Sequence, residues 1–78
     1  MNRNIKLIWD FHGADAEKTA EHHAIHLREF DAREKTGALA IGSEQIGEQH
    51  YIAYMTVKEA IVFAVRDALL PRRAEVVE

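Results

Sequence analysis

Five histidines occur among 78 residues, and they form two groups with different chemical reach. In the first group, Asp10 and His12 share parity in an alternating run, so a strand would aim both at one face. A second alternating run carries His50, Ile52 and Tyr54 at one parity. If the two runs pair antiparallel, the end of one meets the start of the other, and His12 approaches His50. Asp10 could then orient an imidazole for acid–base or ligand-binding work. Tyr54 would lie further along the same face, with Ile8 and Ile52 among the polar groups. A wet sheet end whose histidines hydrogen-bond locally fits the same spacing, so both readings stand at this point.

The second group is His22, His23 and His26. His22 and His26 are one helical turn apart and could share a divalent ion, with Glu29 one turn further on. The zinc-protease pattern His-Glu-x-x-His would need a glutamate after the first histidine, and His23 stands there instead. A solvated helix flank explains the pair equally simply, with His23 bordering the core. The chain has no cysteine, which excludes disulfides and thiolate metal sites. Gly42-Ser43-Glu44-Gln45-Ile46-Gly47 lacks the lysine and spacing of a phosphate-binding loop. Ser43 has no obvious basic partner to activate it. No cofactor is expected.

The elements that must position these groups follow from periodicity. Ile5 to His12 alternates as a strand, with Leu7, Trp9 and Phe11 on the core side. Asp15 suits a helix N-cap, and Ala16 to about Lys35 is helical, with a thin stripe of Ala16, Ala20, Ala24 and Leu27. Gly37 suits the helix end. Ala38 to Ile41 is predicted as a short strand and Gly42 to Gly47 as a turn. Gln49 to Val57 is the clearest strand. Thr56-Val57-Lys58-Glu59 matches a capping box that would open a second helix, with Ile61, Ala64, Val65 and Ala68 inward and Phe63 and Leu70 outward. Pro71 stops that helix. Residues 74–78 could add a fourth, edge strand or fray.

Two strands joined through a helix lie parallel with a right-handed crossover, and the third can slot between them. The predicted fold is therefore α+β: a two-layer, ferredoxin-like sandwich of order β-α-β-β-α, with both helices on one face of an antiparallel sheet. Residues 1–78 form one domain. The net charge is −3, from ten basic and thirteen acidic residues without long blocks, which argues against a nucleic-acid surface. Arg72-Arg73 beside Pro71 reads as a helix-end pair. Neither a signal peptide nor an apolar run long enough for a membrane span is visible, so a cytoplasmic protein is expected. A chain this short buries only ~60–65% of its unfolded surface, and a partner copy would add support.

The chain resembles the dimeric α+β barrel superfamily, and within it the YCII-related proteins. The resemblance runs through His26-Leu27-Arg28-Glu29-Phe30, Gly37-Ala38-Leu39-Ala40-Ile41-Gly42 and Ile52-Ala53-Tyr54-Met55-Thr56-Val57-Lys58-Glu59-Ala60. It implies that two open sheet faces pair into a barrel with a pocket near the junction. It also implies that His26 and an aspartate line that pocket. His23 stands where the family commonly has arginine, and Ser43 follows Gly42 where the family has proline. The functional expectation is a homodimer that binds a small polar ligand or moves a proton. His26, His12 and Asp10 would be the reactive groups, and His50, Tyr54, Ile8 and Ile52 would line the site. The alternative is a non-catalytic interaction module that docks another protein on the open face.

Overall fold

Alternation in the first run becomes β1 (Asn4–His12), and the alanine stripe becomes α1 (Ala16–Glu34) in the computed structural model, which describes residues 3–77. The chain continues through β2 (Ala40–Gly47), β3 (His50–Lys58), a 3₁₀ turn at Glu59–Ile61, α2 (Val62–Leu69) and β4 (Arg73–Val77). The sheet order is β2-β3-β1-β4, with every neighbouring pair antiparallel. This is the β-α-β-β-α-β arrangement of a ferredoxin-like sandwich. Of the two readings open for residues 74–78, the edge strand is the one that forms, beginning at Arg73; Glu78 lies outside the described residues.

One face of the sheet carries the core. Ile5, Leu7 and Trp9 of β1 and Ala53, Met55 and Val57 of β3 pack with Leu27 of α1 and Val65 of α2. Both helices therefore cover the same face. Ala16, Ala20 and Ala24 are buried with Leu27, and their short side chains let α1 lie close on the strands. The Trp9 indole N–H donates to the Leu69 carbonyl at 3.0 Å, which ties the end of α2 to the middle of β1.

Three local expectations are corrected. The Gly42–Gly47 segment is strand, not turn: it pairs with β3 from Ala40↔Thr56 to Gly47↔His50, with a bulge that sets Ile46 out of register. The reversal is confined to Glu48-Gln49, and Gln49 takes the positive φ of 56°. No capping box forms at Thr56. The ladder Asn4↔Lys58 keeps those residues extended, and Glu59 turns its carboxylate to Arg3 at 2.6 Å. Long-range pairing thus overrides a local helix signal, and α2 starts later and is shorter than predicted. At the end of α1, Lys35 rather than Gly37 takes the left-handed cap position, with φ 53°. Asp31 fastens the segment that follows by accepting from the Thr36 hydroxyl and from the Ala38 N–H. Those hydrogen bonds, Thr36 foremost, hold the Asp31 carboxyl below its usual range.

Candidate functional site

The far face of the sheet is built from the even residues of β1 and β3. Register sets its rows: His50 beside His12, then Glu44–Ile52–Asp10, then Gly42–Tyr54–Ile8–Arg73. The expected group of Asp10, His12, His50, Tyr54, Ile8 and Ile52 is therefore brought onto one surface.

Asp10 is the hub. Its carboxylate accepts from His50 Nε2 at 2.9 Å and from Arg73 Nε and Nη2 at 3.0 and 3.1 Å. Only 17% of its side chain is exposed. Arg73's hydrogen bonds, with a smaller contribution from His50, hold the carboxyl below the usual aspartate range against the opposing effect of burial. An acceptor at Nε2 selects the tautomer with hydrogen there, which leaves His50 Nδ1 as a free proton acceptor. The His12 ring stacks on His50, with centroids 4.1 Å apart and planes 19° from parallel.

The rest of the face shields its own apolar residues. Ile8 and Ile52 are each only 2% exposed although no helix covers them. Arg73 sits opposite Ile8 but reaches along β1 to Asp10, so its arm spans the isoleucine. Lys6 lies 4.5 Å from the centre of the Tyr54 ring and 3.9 Å from the Glu44 carboxylate. Tyr54 leans across β2 over Gly42, where a Cβ would come within 2.9 Å of the phenol oxygen. Glycine at 42 is thus what lets the tyrosine lie flat. Lys6 was expected on this face by strand parity; Arg73 and Glu44 were not expected at this site. Arg73 does not cap α2; its strand parity opposite Ile8 was the available signal, and it became readable only once β4 was known to form.

His26 does not join this group. It sits on the outer side of α1, across the sheet from Asp10, and its Nδ1 pairs with Glu29 at 3.2 Å. His22 and His26 approach edge to face at 4.6 Å. No set of three or more His, Asp or Glu side chains among the described residues is placed to hold a metal ion. The pair therefore remains a two-ligand arrangement.

His23 is inward on that helix, as its flank position suggested. Its ring packs 4.9 Å from Trp9 and 5.6 Å from Phe11, and its buried Nε2 has no partner among the described residues. Burial, then the neighbouring His26, pushes its imidazole below the usual histidine range. The unfolded chain therefore binds this proton more readily than the folded one. Stability should be complete above the ordinary histidine pKa of ~6.5 and decline as pH falls toward the folded value. His23→Phe removes the orphaned nitrogen and the titration together. Urea unfolding should find it about 1 kcal/mol more stable, with the decline below neutral pH largely gone. An unchanged pH dependence would show that His23 is not its source.

No family model, curated protein or solved structure matches this chain. Among the described residues no helix is long and apolar enough to cross a membrane.

Proposed function

We propose that the open sheet face is a small-ligand site in which His50 accepts a proton or a hydrogen bond from a small polar molecule. The observation that carries this reading is the Asp10 carboxylate holding His50 and Arg73 at once. A fixed imidazole with one free nitrogen and a stacked second imidazole form a preorganised acid–base pair, with the Tyr54 phenol two rows further along the same face. A second copy facing this surface would turn it into a cavity, in line with the resemblance to the dimeric α+β barrel, YCII-related proteins. Since Ile8 and Ile52 are already roofed by polar side chains, that contact would be polar and reversible. The same roofing argues against docking a large apolar partner here, so the ligand reading is preferred to the interaction module. The chemistry needs only this chain's side chains. His26 has no part in it.

The test is nuclear magnetic resonance of the imidazoles with acetamide, which donates an N–H, and pyruvate, which has an enolisable methyl group, as probes. Resonances of His12 and His50 should move together, and His50→Ala should abolish the response. Deuterium uptake into the pyruvate methyl group, faster with protein than in buffer, would establish proton transfer. Unmoved imidazoles with both probes would exclude the site.

A further inference from the structure

The two most exposed large apolar side chains among the described residues, Phe63 and Leu70, lie on and just after α2, beside β4. Phe63 is 63% and Leu70 75% exposed there, and Val76 of β4 is also half exposed. The short α2 leaves the β4 side of the sheet uncovered, and a recess of about 440 Å³ remains between them. That volume lies within the ~300–1,000 Å³ of small-molecule sites. Ile5 and Leu7 form part of its lining from the sheet, and Val62 and Phe63 from the helix.

The charge around this recess is unlike that of the chain as a whole. Net charge over the molecule is −3, yet Arg66 and Arg72 both stand at the recess. Its single acidic lining residue, Glu59, is neutralised by Arg3 at 2.6 Å. Arg66 stacks its guanidinium 4.7 Å over the Phe63 ring and bonds Asp67. Arg73 turns its guanidinium to the opposite face, onto Asp10. Arg72 alone of the three makes no ion pair among the described residues. Its backbone is fixed, because its N–H donates to the Ile8 carbonyl at 2.9 Å. An unpaired guanidinium on an anchored backbone beside an apolar recess complements a carboxylate with a hydrophobic tail.

We propose that the recess between α2 and β4 binds a small amphipathic carboxylate, its tail against Ile5, Leu7, Val62 and Phe63 and its head on Arg72. This site is separate from the Asp10 face and does not depend on it.

Titration of the full chain with octanoate, followed by amide resonances, tests the idea. Ile5, Leu7, Phe63 and Ala74 should shift in a saturable way, while His12 and His50 stay still. Octan-1-ol keeps the tail and loses the charge, so it should bind on the order of tenfold more weakly. Arg72→Gln should erase that difference with the melting curve retained. Three results would overturn the proposal: equal affinity for acid and alcohol, octanoate shifts confined to the histidine face, or an unchanged preference in Arg72→Gln. So would concentration-dependent shifts of the same residues without ligand, which would assign the recess to a second copy of the chain.

Discussion

Replacing Trp9 by alanine should leave the chain largely unfolded under conditions in which the parent is folded. The indole is buried in the centre of β1, touches His23 across the helix layer, and holds the end of α2 through the Leu69 carbonyl. Truncation of a buried tryptophan to alanine typically costs about 3–5 kcal/mol. At ~0.05–0.15 kcal/mol per residue, a domain this short has a total of only roughly 4–12 kcal/mol. The melting temperature should drop by about 20 °C or more, read by circular dichroism. Trp9→Phe keeps an aromatic ring and loses only the hydrogen bond, so it should cost about 1 kcal/mol. If Trp9→Phe is as damaging as Trp9→Ala, attachment of α2 and not packing governs the fold.

Asp10→Ala should have the next largest effect, and the one most telling for function. It removes the acceptor of three hydrogen bonds at once, two from Arg73 and one from His50. Hydrogen bonds to charged groups are worth about 1.5–3 kcal/mol when buried, and partial exposure places the expected loss near 2 kcal/mol. The pH dependence has a definite sign. The Asp10 carboxyl titrates lower in the folded chain than in the unfolded one. Its contribution is therefore present in full above the ordinary aspartate pKa of ~3.9 and is lost as pH falls through the folded value. Urea midpoints of parent and variant should converge at acid pH and separate as pH rises toward neutral. His50 should also lose its single tautomer, seen as averaged ring nitrogen shifts. A variant with parental stability and a still ordered His50 would remove Asp10 from its central position.

Elements whose residues alternate or repeat strongly were legible beforehand. Leu7, Trp9 and Phe11 point to the helices, Ala16, Ala20, Ala24 and Leu27 are α1's buried stripe, and Asp10, His12 and His50 converge, all from periodicity and one antiparallel pairing. The second strand was harder. Ser43, Glu44 and Gln45 on an edge strand have no apolar rhythm, because water is their neighbour on the free side. The capping-box residues were misread because a four-residue pattern says nothing about a β1 partner more than fifty positions away. Arg73 reads as a helix-end residue in the sequence for the same reason: its actual role depends on β4 lying beside Ile8. The buried state of Ile8 and Ile52 was also illegible, since it depends on where the flexible ends of Lys6, Tyr54 and Arg73 come to rest. His26 matched a resemblance in sequence, but α1 carries it to the side of the sheet away from Asp10.

Static light scattering over a concentration series addresses the proposed enclosed face most directly. The account predicts a mass that climbs from 8.9 kDa toward twice that value as concentration rises. A parent that remains at 8.9 kDa up to millimolar concentration, with acetamide or pyruvate present, would contradict it.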